Sequence, residues 1–182
     1  MRIRKLVAHL FMSVDGVVEA PDRVLRAELY QDLDAINDET IGGQDAVLLG
    51  RKTYEEWSAF WPGADIEPFA SFINATPKFV VSKSLTRLDW WPATLINADV
   101  QRDIDALKDS PGQSIGVHGS ISLVSFLINA GLLDELRLVM CPALSGSGRR
   151  LLSRDGAPIQ LDLCSSRTTP GGLAYLVFHP RG

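Results

Sequence analysis

Three short stretches of this chain place glycine, hydroxyl and cationic residues directly after apolar runs. Gly50-Arg51-Lys52-Thr53 follows Ala46–Leu49, Ser82-Lys83-Ser84 follows Lys78–Val81, and His118-Gly119-Ser120 follows Ile115 and Val117. Where a strand ends and a helix begins, free N–H groups and the positive end of the helix dipole stabilise an anion. Arg51 and Lys52 sharpen the point: cations oppose the dipole at a helix N-terminus, so an anionic ligand explains them better than ordinary surface charge. A phosphate is the natural candidate, although the His118-Gly119-Ser120 turn is equally compatible with a tight connection that binds nothing. A fourth stretch, Ser13-Val14-Asp15-Gly16, puts a carboxylate after the run Leu6–Phe11. Asp15 there is either a proton donor for chemistry or an aspartate that steadies a turn before glycine. His9 lies inside the same run with no partner beside it in sequence, and reads as a core histidine.

The elements that must position these residues follow from apolar periodicity. Leu6–Phe11 is nearly continuous apolar, as in a central strand covered on both faces. Leu25, Leu29, Leu33 and Ile36 keep helical spacing from Pro21-Asp22 to Ile41, where Gly42-Gly43 stops the helix. Its acidic residues Glu28, Asp32, Asp34, Asp38 and Glu39 read as a solvated face. Ala46–Leu49, Lys78–Val81 and Thr94–Ile96 are short strands, and Tyr54–Phe60, Ile66–Asn74 and Asp99–Lys108 are helices. Trp90 and Trp91 fall in a loop and suggest packing. Ile121, Val124, Leu127 and Ile128 mark one helix face, Gly131 its C-terminal stop, and Leu136–Met140 the next strand. Strand, turn, helix and strand make a βαβ unit with parallel strands. In the tail, Ile159–Ser165 and Leu173–Phe178 flank Pro170-Gly171-Gly172 as a β-hairpin, which would end a largely parallel sheet with antiparallel strands.

The 182 residues, 46% of them hydrophobic, suit one domain spanning 1–182. A formal net charge of −4 argues against a general nucleic-acid or acidic-membrane surface. Cys141 and Cys164, the two cysteines, lie in apolar runs and read as buried small hydrophobes in a reducing compartment. No apolar stretch reaches membrane-spanning length and MRIRKLVAHLF lacks a small-residue cleavage site, so a cytoplasmic location is expected. Ser120 beside His118 is a poor hydrolase pair, because neighbours on one turn seldom meet as nucleophile and base, and no Gly-x-Ser-x-Gly elbow occurs.

Taken in order, Ser13-Val14-Asp15-Gly16, LLGRKTYE (Leu48 to Glu55), VVSKSL (Val80 to Leu85) and VHGSISLVSFLINAGLLDELRL, closing with Pro142 and Gly146-Ser147-Gly148, resemble the dihydrofolate reductase-like superfamily. Within it the likeness is to the reductase domain of bifunctional riboflavin-biosynthesis proteins, and it covers nearly the whole chain. The resemblance implies a three-layer α/β fold, with a mostly parallel sheet, helices on both faces and NADPH across the strand ends. Carried over by position, Gly50, Arg51, Lys52 and Thr53 would hold cofactor phosphates, Ser82 and Lys83 would approach the adenosine 2′-phosphate, and His118, Gly119, Ser120 and Ile121 would lie against the pyrophosphate. Asp15 would be the catalytic acid. The implied activity is NADPH-dependent reduction of a small heterocycle, either resembling the 5-amino-6-(5-phosphoribosylamino)uracil reductases or acting on a pteridine. A nucleotide-binding protein of this fold without catalysis is the alternative, and a homodimer is the implied assembly, for which the Leu132-Leu133 corner and the Trp90-Trp91 loop offer apolar surface. The Trp-x-x-Pro-x-acid stretch of dihydrofolate reductases is replaced by Ala20-Pro21-Asp22-Arg23. The zinc deaminase signature of the bifunctional proteins, His-x-Glu with Pro-Cys-x-x-Cys, is absent, so no metal is expected.

Overall fold

The computed structural model describes residues 4–152 and 157–181; Met1–Ile3, at the start of the stretch weighed above as a leader, lie outside it. One eight-stranded sheet runs through the molecule in the order β4-β3-β2-β5-β1-β6-β8-β7. Its strands are β1 (Leu6–Ser13), β2 (Gln44–Gly50), β3 (Lys78–Val81), β4 (Ala93–Ile96), β5 (Ser114–His118), β6 (Glu135–Cys141), β7 (Leu161–Thr168) and β8 (Ala174–Pro180). β4 through β6 pair in parallel, while β8 is antiparallel to β6 and β7 to β8. The expected parallel sheet with a closing antiparallel hairpin is therefore present. The βαβ unit skips a place: β5 and β6 lie on either side of β1.

Helices cover both faces, as strands apolar on both sides require. They are α1 (Tyr30–Ile41), α2 (Arg51–Phe60), α3 (Phe69–Ala75), α4 (Val100–Asp109) and α5 (Ile121–Asn129). Leu123, Val124, Leu127 and Ile128 of α5 and Ile104 of α4 pack on Leu6, Ala8, Leu48, Ile115 and Val117. Each such burial stabilises the fold by roughly 1.5–3 kcal/mol. On the opposite face Leu33 and Ile36 of α1 meet Val139, Tyr175 and Val177, and Tyr54 of α2 and Ile73 of α3 meet Val47, Leu49 and Val80.

Five expectations need correction. The first helix starts at Tyr30, not Pro21, because Ala20 adopts a left-handed conformation and Pro21–Arg23 and Ala27–Leu29 form separate 3-10 turns. Leu29 still reaches the core and Leu25 packs against it, which is why their spacing with Leu33 and Ile36 mimics a helix. Trp90 is buried, its ring under Lys78 Nζ and its Nε1 donating to Asn74 Oδ1 at 2.8 Å; only Trp91 is exposed. Leu132 and Leu133 are also buried, beside Lys108, whose Nζ donates to Leu132 O at 2.7 Å and pairs with Asp134. Cys164 is exposed, since every residue of β7 is exposed; Cys141 is buried, and both thiols are free. Asp32 does not simply face solvent either: it accepts hydrogen bonds from Thr169 Oγ1 and Gly171 N and so holds the β7–β8 turn.

Candidate functional site

Parallel strands end on one side of the sheet, and there the β2–α2 and β5–α5 junctions meet. Gly119 and Ser120 both take left-handed conformations, with φ of 65° and 45°. For serine that conformation is strained, and it persists only where neighbours enforce it. Here Ser120 N and Oγ donate to Thr53 Oγ1, at 3.1 and 2.8 Å, while Ser120 Oγ accepts from Gly50 N at 2.9 Å. Two junctions distant in sequence are thereby locked together.

Neither α2 nor α5 has a side-chain N-cap, whereas α4 is capped by Asp99, which accepts from Arg102 N at 3.1 Å. The open N-termini of α2 and α5 border two clefts. One, of about 700 Å³, is lined by Gly50, Arg51, Val81, Lys83, Asp99, Gln101, Ser122 and Phe126, among others. The second, of about 490 Å³, lies across α5 between Ile121, Ser122 and Ser125 and the segment Gly148–Leu152. Arg149 reaches over it to donate to Ser122 Oγ at 2.8 Å.

The expected anion-site residues are thus divided. Gly50, Arg51 and Lys83 share the larger cleft, and Ile121 lines the smaller. Thr53 and Ser120 spend their hydroxyls on each other, with Gly119 packed against Thr53 and Trp57. Ser82 is buried, and its Oγ accepts from Ser84 N and Leu85 N, closing the turn that presents Lys83. Lys52 is exposed and lines neither cleft. His118 does not face the clefts with its side chain. Strand alternation sends Val117 toward α5 and His118 to the opposite face, where its Nε2 bonds Gln44 Oε1 at 2.9 Å. Arg149, Arg150 and Ser122 carry no role in the motif reading; an arginine pair directly after Gly146-Ser147-Gly148 is the signal that pointed to them.

Asp15 lines neither cleft. Its carboxylate accepts from Ser13 Oγ at 2.6 Å and from Ser145 N and Gly146 N, each at 2.9 Å. These hydrogen bonds, that of Ser13 foremost, lower its pKa to about 2. At neutral pH Asp15 is an ionised acceptor that fastens the loop after β6 to the loop after β1. The adjoining strap is held by Val18 N donating to Arg149 O at 2.9 Å and by the Val17–Arg150 bridge.

A model of the RibD C-terminal domain family matches residues 4–175. The chain belongs to that family. The uncharacterized protein YyaP of Bacillus subtilis (strain 168) is 27% identical over 186 residues, covering 100% of this chain and 98% of its own. A pyrimidine reductase-like protein of Corynebacterium diphtheriae superposes with a TM-score of 0.71 at 14% identity, over 98% of this chain and 92% of that one. Dihydrofolate reductase of Enterococcus faecalis, in complex with NADP(H), superposes with a TM-score of 0.66 at 16% identity, over 98% and 97%. The fold of this RibD C-terminal domain is dihydrofolate reductase-like. No helix among its described residues is long and apolar enough to cross a membrane.

Proposed function

We propose that this RibD C-terminal domain is an NADPH-dependent reductase of a small heterocycle. One observation carries the reading: two uncapped helix N-termini and two cations, Arg51 and Lys83, converge on a cleft at the carboxyl ends of β2, β3 and β4. Free N–H groups and cations together suit the phosphates of a dinucleotide. Arg51 and Lys83 would take the 2′-phosphate, and the N-termini of α2 and α5 the pyrophosphate, with Arg149 and Arg150 flanking it. The cofactor would supply the hydride; the protein binds it, orients the nicotinamide face and excludes water. The 2′-phosphate contact sets the preference for NADPH over NADH.

Asp15 serves in this scheme by holding the Ser145–Gly146 loop, which leads into the Gly148–Leu152 wall of the smaller cleft, as its ionised state favours, rather than by delivering a proton. The molecule is also proposed to work as a homodimer. With Leu132, Leu133 and Trp90 buried, the surface for it is β7, an eight-residue edge strand exposed along its whole length, with Leu161 and Leu163 uncovered. Calorimetric titration tests the central reading. NADPH is expected to bind and NADH to bind much more weakly; absence of binding by either dinucleotide overturns it.

A further inference from the structure

The strap Gly148–Leu152 sets two adjacent guanidiniums along the wall of the smaller cleft. Among the described residues neither Arg149 nor Arg150 pairs with a carboxylate, whereas Arg4, Arg51, Arg137 and Arg167 each meet one. The strap is also firmly held. Val18 N donates to Arg149 O at 2.9 Å, Arg149 N donates to Glu19 Oε2 at 3.1 Å, and Val17 bridges to Arg150. Gly148, with φ of 129°, allows so close an approach: a Cβ there would stand 2.6 Å from Val17 Cγ1. Two like charges are thus fixed side by side before any ligand arrives, which lowers the entropic cost of binding an anion between them.

Across the cleft α5 presents Ser122 and Ser125, one turn apart and turned away from Leu123, Val124 and Leu127, which are buried against the sheet. Ser122 Oγ accepts from Arg149 Nη2 at 2.8 Å, so its own proton is left to donate. Ile121, Leu151 and Leu152, each half-buried, supply apolar walls. This chemistry selects the guest. Guanidinium forks and hydroxyl donors match the oxygens of a phosphate, and a phosphomonoester carries about two negative charges at pH 7, enough to answer both arginines; a carboxylate carries one. Phosphate alone would leave most of the 490 Å³ unfilled. That volume suits a small organic molecule, whose body would lie against the apolar walls.

The cleft is distinct from the larger one. Ser122 is the single described residue that lines both, and Leu123 and Phe126 of α5 belong to the larger cleft while Ser125 belongs to the smaller. We infer that the smaller cleft is an effector site for a small organic phosphomonoester, held by Arg149, Arg150, Ser122 and Ser125. A ligand there touches the outward side of α5, not the strand ends, and acts on the cofactor through the shared helix and the shared arginines. Two anions drawing on one helix N-terminus and one arginine pair weaken each other, and do so reciprocally. Binding at the cleft stands apart from the reductase reading; the coupling rests on it.

Phenyl phosphate, which joins an apolar ring to a phosphomonoester, is the probe. It is titrated calorimetrically into the full chain, with inorganic phosphate and benzoate in separate runs, and is expected to bind about tenfold or more tightly than either. Arg150→Met removes one guanidinium and keeps an unbranched apolar side chain, while Ser125→Leu fills the cleft from the helix side. Each should weaken phenyl phosphate by about tenfold or more. Saturating NADPH should raise the Kd for phenyl phosphate a few-fold without abolishing binding. No binding of phenyl phosphate by the wild type, equal affinity for inorganic phosphate, or unchanged affinity in either variant overturns the inference. Complete displacement by NADPH, which would mean one common site, overturns it too, and so does a Kd indifferent to NADPH, which would remove the effector role. If NADPH itself does not bind, the cofactor reading falls, and the two variants still decide whether the cleft holds the phosphate.

Discussion

Asp15 and Arg51 are both charged residues at strand exits, yet they differ in how they are held. Asp15 is fully engaged, with three donors on its carboxylate, whereas Arg51 meets, among the described residues, only Glu55, one helical turn along, in a solvent-exposed pair at 2.8 Å. Exposed pairs of this kind hold weakly, so Arg51 is available to a ligand. Arg51→Ala is expected to weaken NADPH by roughly 1.5–3 kcal/mol and leave NADH nearly unchanged, as titration calorimetry would show; equal losses for both would remove the 2′-phosphate role. Asp15→Asn should instead act on the loop. Amide exchange at Ser145 and Gly146 is expected to accelerate by about tenfold or more, with little change in NADPH affinity. Unchanged exchange would show that the carboxylate does not hold the loop.

Between elements, the Gly50–Thr53–Ser120 contacts are what join two junctions into one site. Ser120→Ala keeps the strained backbone and removes the hydroxyl that both donates and accepts, so a loss of about 1–3 kcal/mol in denaturant unfolding is expected. An unaltered midpoint would mean that the strain is enforced elsewhere. Much of this level could be read from the sequence. Lys78–Val81 is recovered residue for residue as β3, and α5 begins at Ile121 because the glycine-serine turn leaves no alternative. What escaped was whatever depends on tertiary direction. His118 was grouped with its neighbours Gly119 and Ser120, although the alternation of Ile115 and Val117 already assigns it to the other face. Trp90, Leu132 and Leu133, apolar residues at a loop and a corner, suggest surface for a dimer, yet each is covered by a segment remote in sequence: Trp90 by Tyr54 and Lys78, the leucines by the α4 end with Lys108. Cys164 erred the opposite way, since an alternating apolar run marks one covered face and β7 has none.

At the scale of the whole molecule, the buried, neutral imidazoles of His9 and His118 couple stability to pH. Both pKa values are lowered from 6.5, chiefly by burial. The unfolded chain therefore takes up protons as pH falls through 6.5, while the folded state does not until about pH 4 for His9 and about pH 3 for His118. Stability from this source is complete above about pH 6.5 and declines below it, each group contributing a slope of up to about 1.4 kcal/mol per pH unit. Urea midpoints between pH 7.5 and 4.5 would record the decline, and His9→Gln should reduce it; a flat profile would contradict the neutral assignment. The assembly prediction belongs here too. Light scattering is expected to give twice the 19.9 kDa chain mass, and Leu163→Lys, a charge on the edge strand, to return the monomer. A monomeric wild type would exclude β7 as the contact.

The place of β1 at the centre of the sheet has a consequence for how the chain reaches its native state. Leu6–Ser13 is synthesised well before its partners β5 and β6, which begin only at Ser114 and Glu135. Until those segments are made this apolar strand lacks both its neighbours, and β2–β4 and β6–β8 cannot be joined until β1 and β5 are seated between them. Closing so long a loop carries an entropic cost before any contact is made. Folding of this protein should accordingly be slow and late, and its nascent form, with LVAHLF unpaired, a natural client for chaperones that shield apolar segments.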